Sequence, residues 1–259
     1  MVLELVNFIK KNNFLIFFIF FIPVLVLAEI SIEDYRKYDV TKTKFKLEKS
    51  AEGLSYPWAL SFIDNTNVVI TEKDGGLYKV DVLTGKKQKI KHNIPHIGYD
   101  GSGQGGFLDV YFNSSDSYIY FTYSHKSSKL TRSKQLSKKS STAIARGKLI
   151  KNEIKDLEIL LIAKPEFLEN RHYGSRIAIK GDDLFASFGE RGQGMISQDP
   201  SKHPGSIVRI KTNGAIPQDN PHFIEKQDWL PEIYMIGVRN PQGIAISPHD
   251  DELYFSNHG

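Results

Sequence analysis

The sequence predicts an all-β protein made of sheet units arranged around a common centre, and three observations carry that prediction. A small-residue turn, a short apolar strand, a polar turn and a second apolar strand recur in that order, beginning at Tyr56, Gly105, His172 and Asn240. The apolar runs from Leu54 onward are short, rich in valine, isoleucine, tyrosine and phenylalanine, and no long segment shows a 3.6-residue period. Corresponding strands begin at Ala59, Phe107, Arg176 and Gly243, separated by 48, 69 and 67 residues, which leaves each unit room for four strands and a loop. Such units suit the blades of a propeller better than an immunoglobulin-like sandwich, whose strands end within roughly 100 residues.

Taken in order, residues 1–28 stand apart. Lys10 and Lys11 precede an uncharged run from Asn12 to Ala28 that closes on Val26-Leu27-Ala28, the layout of a secretory signal. The expected location is therefore periplasmic or secreted, with retention as a membrane anchor the alternative. The apolar part, about 15 residues, is short of the roughly 20 that span a bilayer. Residues 29–51 are charged, with one strand expected at Lys44–Leu47, and the repeated sheet units occupy 52–259. Strands are expected at Ala59–Ile63, Val68–Thr71, Gly76–Val82, Phe107–Phe112, Tyr118–Tyr123, Thr142–Leu149 and Asp156–Ala163. Further strands are expected at Ser175–Ile179, Leu184–Phe188, Ser206–Lys211, Gly243–Ile246 and Glu252–Ser256. Gly75-Gly76-Leu77 to Thr84-Gly85 and Pro204-Gly205-Ser206 to Asn213-Gly214 form a second recurring strand type, each ending in a turn where glycine adopts positive φ. About four blades fit this length.

Composition narrows the chemistry. The 259 residues are 40% hydrophobic and 12% aromatic, enough for a large core. With 34 basic and 30 acidic residues, the net charge is too weak and scattered for nucleic-acid binding. The densest basic stretch, Lys126–Lys139, lacks interleaved aromatics and reads as a solvated loop. Cysteine is absent, which excludes thiolate catalysis, iron-sulfur centres and zinc-thiolate sites.

Three clusters carry candidate chemistry. His172 sits at a loop-to-strand junction in Asn170-Arg171-His172-Tyr173-Gly174-Ser175-Arg176, where an imidazole can take a proton from a substrate hydroxyl or serve as a bonded turn histidine. Gly101-Ser102-Gly103-Gln104-Gly105-Gly106 lacks the Lys-Ser/Thr of a phosphate loop and reads as a tight turn exposing Gln104 to a cavity. Gly237-Val238-Arg239-Asn240-Pro241-Gln242-Gly243 gathers an arginine and two amides before a strand, suited to a carboxylated or carbonyl-bearing ligand or to joining two blades. Glu190, Asp199 and Asp219-Asn220 supply oxygens suited to calcium, but no twelve-residue calcium loop is present. His92, His96, His125, His203, His222 and His249 fall in polar turns and receive no role.

The whole series resembles the soluble quinoprotein glucose/sorbosone dehydrogenase family, and within it the periplasmic aldose sugar dehydrogenases. The pieces are Pro57-Trp58-Ala59-Leu60, Gly103 to Val110, His172 to Arg176, Phe188-Gly189-Glu190, Gly205 to Ile210, Ile216 to Pro221, and Gly237 to Gly243 with Asn257-His258-Gly259. The resemblance implies a six-bladed β-propeller, pyrroloquinoline quinone (PQQ) in a central cleft, and calcium beside it. It implies that His172 is the base removing the sugar hydroxyl proton while hydride passes from C1 to the quinone, giving a lactone. It also implies that Gln104, Arg239 and Asn240 bind the cofactor and that the Gly259 carbonyl binds calcium. An aldose and an external electron acceptor are the implied partners.

Two departures stand out. Arg171 occupies a place where the family commonly has Asp or Asn, so an orienting acceptor is replaced by a cation that opposes histidine basicity. Arg191 occupies a place where an uncharged cofactor-contacting side chain is usual. The resemblance also implies roughly two further blades and later cations for the cofactor's carboxylates. The chain is thus expected to be a partial, C-terminally truncated propeller, impaired in turnover and prone to self-association through an uncovered edge. The competing reading is a non-enzymatic propeller fragment or binding protein.

Overall fold

A computed structural model describes residues 48–99, 101–127 and 138–259. The chain divides into Met1–Glu48 and Lys49–Gly259, and the second unit carries all the structure below. The expected signal, the strand at Lys44–Leu47 and most of the basic stretch lie outside the described residues. Among the described residues, no helix is long and apolar enough to cross a membrane.

Four antiparallel sheets follow one another along the chain. The first is β1 (Pro57–Phe62), β2 (Asn67–Glu72), β3 (Leu77–Asp81) and β4 (Lys87–Lys89); the second is β5 (Phe107–Asn113), β6 (Tyr118–Lys126), β7 (Ser140–Ile150) and β8 (Glu153–Ile162). The third is β9 (Ile177–Lys180), β10 (Asp183–Phe188), β11 (Ser206–Lys211) and β12 (Ile233–Ile236), and the fourth pairs β13 (Pro241–Ile246) with β14 (Leu253–Asn257). Each sheet is an up-and-down meander in chain order, the arrangement of propeller blades. Among the described residues, helix is confined to single turns at Gly194–Gln198 and Pro221–Ile224.

Strand alternation explains how the sheets stack. Successive side chains point to opposite faces, so β6 sends Ile119, Phe121 and Tyr123 into one core with Val69, Leu77 and Phe107 of its neighbours. The intervening Tyr120 enters the other core, with Ile177, Leu184, Phe188 and Val208 of the third sheet. β7 divides in the same way, Ala143 and Ala145 on one side and Ile144 on the other. The middle of the second sheet is therefore covered on both faces, which accounts for the nearly unbroken burial of β6 and the first half of β7.

A repeated hydroxyl ties the sheets together near their inner strands. Thr71 Oγ1 accepts from Ala59 N (3.3 Å) and donates to Leu108 O of the next sheet (2.6 Å). Thr122 Oγ1 accepts from Asp109 N (3.0 Å) and donates to Ser175 O (2.6 Å), and Ser187 Oγ accepts from Arg176 N (3.0 Å) and donates to Pro241 O (3.1 Å). One hydroxyl in the second strand of each of the first three units thus satisfies its own inner strand and the next unit's. Register irregularities recur on inner strands too, between Pro57 and Ala59, Phe107 and Val110, and Pro241 and Gly243.

The strands expected from Ala59 onward are present within a few residues of their ends. Lys87–Lys89 and Ile233–Ile236 were not expected: both are short outer strands, and the first carries no apolar side chain at all. His125 does not lie in a polar turn but is buried within β6; His203 lies at a bend as expected, yet it too is buried, its Nδ1 accepting from Lys164 N (3.1 Å).

Candidate functional site

The site forms where the segments entering the inner strands meet. Asn170 binds the glycine-rich loop to the histidine loop: its side-chain oxygen accepts from Gly105 N (3.0 Å) and its carbonyl from Gln104 N (2.9 Å). A Cβ at Gly103 or Gly105 would stand 2.6 Å from Asn170 atoms, so the glycines here admit a neighbouring backbone rather than a phosphate. Gln104 Oε1 in turn accepts from His172 N (2.7 Å). His172 holds a left-handed backbone, φ 51°, uncommon for a residue with a side chain. Its carbonyl lies so near Gly189 that a Cβ there would overlap it.

The His172 ring is 8% exposed, and its Nδ1 is held by the Glu190 carboxylate. Glu190 is itself 3% exposed and accepts a second bond from Gly194 N (2.7 Å). Burial raises the Glu190 carboxyl, but the bonds from His172 and Gly194 outweigh it and hold the group below its ordinary value. An ionised Glu190 fixes the proton on Nδ1 and leaves Nε2, which makes no hydrogen bond among the described residues, as the acceptor. The sequence reading missed this pairing and noted Glu190 only as a metal oxygen. The signal was available in the hairpin register: Ala186 faces Ile177, and extending the pairing outward sets Arg191 opposite His172, beside Glu190.

Beside this pair lies a cleft of about 160 Å³ lined by Trp58, Lys73, Gln104, Leu108, Tyr173, Gly174, Asn240, Gln242 and His258. That is below the roughly 300–1,000 Å³ that encloses a cofactor-sized ligand, so these residues form one wall of a site. Asn240 is 1% exposed; its Oδ1 accepts from Gly174 N (3.0 Å), whereas its Nδ2 is buried without a partner among the described residues. Lys73, which the sequence reading passed over, brings a cation whose Nζ rests on Gly103 O (2.5 Å). A larger cleft of about 630 Å³, between Lys89–Asn93 and Glu153–Leu157, gathers none of the candidate residues.

Four units contribute to the inner face of the cleft. Arg176 stacks on Trp58 (4.3 Å), donates to Asp109 Oδ1 (3.1 Å) and reaches Gln242 O (2.9 Å). Burial raises the Asp109 carboxyl despite the charge of Arg176 and the bond from Ile177 N.

The predicted residues are thus partly assembled. Gln104 and Asn240 line the cleft, and His172 is bonded to the first through its backbone and adjoins it through Tyr173 and Gly174. Arg239 lies outside the cleft lining, exposed, with Nη1 donating to His258 O (3.1 Å). The Gly259 carbonyl accepts from Asn257 Nδ2 (3.1 Å) close to that guanidinium. Among the described residues no group of three or more His, Asp or Glu side chains could hold a metal ion, so a calcium ion here would have to draw on backbone carbonyls such as that of Gly259. PQQ fits better: its oxygens would satisfy the orphaned Asn240 amide, and Lys73 would offset part of its charge.

Both departures take on different meanings. The acceptor that Arg171 appeared to replace is supplied by Glu190, and the Arg171 side chain lies against Gly192. Arg191 does not reach the cleft; it turns inward, 1% exposed, over the Tyr173 ring.

The model of the glucose/sorbosone dehydrogenase family matches residues 54–259. Aldose sugar dehydrogenase YliI of Escherichia coli K12 is 31% identical over 220 residues, covering 82% of this chain and 56% of the relative. A crystal structure of a glucose dehydrogenase superposes with TM-score 0.73 at 26% identity, over 82% of this chain and 60% of the other. The PQQ-bound aldose sugar dehydrogenase of Streptomyces coelicolor gives TM-score 0.65 at 25% identity, over 82% of this chain and 59% of the other. The chain therefore spans between half and two thirds of the length of these proteins. With the blade-like sheets, the signature residues around one cleft and the family model spanning nearly all the described residues, the chain belongs to the glucose/sorbosone dehydrogenase family.

Proposed function

We propose that this chain carries the hydroxyl-oxidising side of a PQQ-dependent aldose dehydrogenase site, with His172 as general base. The His172–Glu190 pair carries this reading, because a carboxylate on Nδ1 prepares Nε2 to accept a proton. When bound, PQQ supplies the two-electron acceptor. His172 Nε2 takes the proton of the C1 hydroxyl, the C1 hydrogen leaves with its electron pair, and the cyclic sugar becomes the lactone. An external acceptor then reoxidises the cofactor. The positive charge that His172 gains as the proton arrives is compensated by the negative charge Glu190 already carries.

Asn240 Nδ2 and the Gln104 amide would hold the cofactor's oxygens, with Lys73 opposing its carboxylates. Arg239 at the rim and calcium on the Gly259 carbonyl belong to the same proposal, as does export by residues 1–28. One wall with few cations leaves much of the cofactor's charge exposed to water, so turnover by these residues alone is expected to be low. Trp58 lies in the cleft while Trp229 does not line it, so quenching of Trp58 fluorescence reports binding. PQQ should quench the wild type and the Trp229→Phe variant, and Asn240→Leu should weaken the titration. Quenching by PQQ that persists in Trp58→Phe and ignores Asn240→Leu would place the cofactor elsewhere.

A further inference from the structure

Arg191 is among the largest fully buried side chains in the protein, and a buried cation costs desolvation energy unless it is bonded and neutralised. Its bonds all go to neutral acceptors. Nε donates to Arg171 O (2.9 Å), Nη1 to Ser140 O (2.7 Å), and Nη2 to Ser140 Oγ (3.3 Å) and Glu169 O. The Tyr173 ring lies 3.7 Å from the guanidinium carbon. Burial holds the guanidinium below its ordinary value, opposed by the nearby Tyr173, Glu169 and Glu190.

A methionine would fill the same space without that cost, so packing alone does not account for an arginine. The fork spans what a simpler side chain cannot: the carbonyls on either side of Asn170, and the first residue of β7. Asn170 fixes the Gln104 loop, and the residue after Arg171 is His172. On the other side, Arg191 follows Glu190, and its own N–H donates to His172 O (3.3 Å). Both His172 and Arg191 have positive φ, 51° and 58°, so the two facing backbones need outside restraint.

We propose that Arg191 is a positioning residue: by clasping the carbonyls of Glu169, Arg171 and Ser140 it sets the His172 loop so that Nδ1 meets Glu190. It touches no reacting group. The effect on catalysis rests on His172 being the base, whereas the effect on the ring does not.

The test is the ring-nitrogen NMR spectrum of His172, assigned with His172→Gln, in wild type, Arg191→Lys and Arg191→Met. Wild type should show one tautomer, with the proton on Nδ1. Arg191→Lys, which keeps a cation but loses the fork, should remain folded by amide dispersion and show mixed tautomers; Arg191→Met should do the same or be less stable. Sugar-dependent PQQ reduction should fall on the order of 10- to 100-fold in kcat for Arg191→Lys, with little change in KM, as for a displaced catalytic group. A wild-type tautomer pattern in folded Arg191→Lys would overturn the proposal. If His172→Gln leaves turnover intact while Arg191→Lys still shifts the tautomer, the general-base reading fails and the positioning role stands.

Discussion

At residue scale, the proposed chemistry depends on two side chains that the fold brings together across a hairpin. Replacing His172 with Gln should lower sugar oxidation on the order of 100-fold or more. Cofactor quenching of Trp58 should survive, because Asn240 and Lys73 remain in the cleft; loss of both together would make His172 a binding group. Glu190 adds a dependence on pH. Its carboxyl is held below the ordinary value, so its contribution to stability is present above the unfolded value, about 4.3, and is lost as pH falls through the folded one. Thermal unfolding of wild type minus that of Glu190→Gln should therefore show a gap that narrows below about pH 4.3. A gap unchanged down to pH 3 would show that the carboxylate gains nothing from its partners. His172, Gln104 and Asn240 were legible as single residues because small neighbours and amides surround them. The Glu190 pairing was not, because it depends on register carried past the last paired residues of β9 and β10.

At the scale of the element, the repeated hydroxyls are the joints between units. Thr122 Oγ1 is wholly buried and serves both Asp109 N and Ser175 O, so Thr122→Val leaves two buried backbone groups without a partner. A loss of about 1–3 kcal/mol in chemical denaturation is expected. Thr66→Val, a half-buried hydroxyl in the β1–β2 turn that bonds only neighbouring side chains, is the control. Equal effects from the two would show that the joint carries no special weight. Most strands could be read from the sequence because valine, isoleucine and aromatics alternate along surfaces covered on both sides. The outer Lys87–Lys89 strand could not, since its pairing with β3 needs backbone groups rather than apolar side chains.

At the scale of the whole molecule, apolar surface remains on the first and last strands. Leu60 and Phe62 on β1 are 57% and 55% exposed, and Tyr254 and Phe255 on β14 are 57% and 37% exposed. Such surface favours self-association. The sedimentation coefficient of the purified protein should rise with concentration, and Leu60→Lys with Phe62→Lys should reduce that rise; a monomer at all concentrations would contradict it. Four sheet units around one cleft, the fourth with two strands, were legible from the spacing of their inner strands, while the last strand of the third, Ile233–Ile236, was not. The central claim is that this cleft oxidises an aldose through His172 when PQQ is bound. Its most direct test is an anaerobic mixing experiment in which PQQ-loaded protein meets an aldose and the quinone absorbance is followed through a single turnover. The account predicts reduction in the wild type, however slow, and a rate on the order of 100-fold lower in His172→Gln at equal PQQ occupancy; equal rates in the two proteins would contradict it.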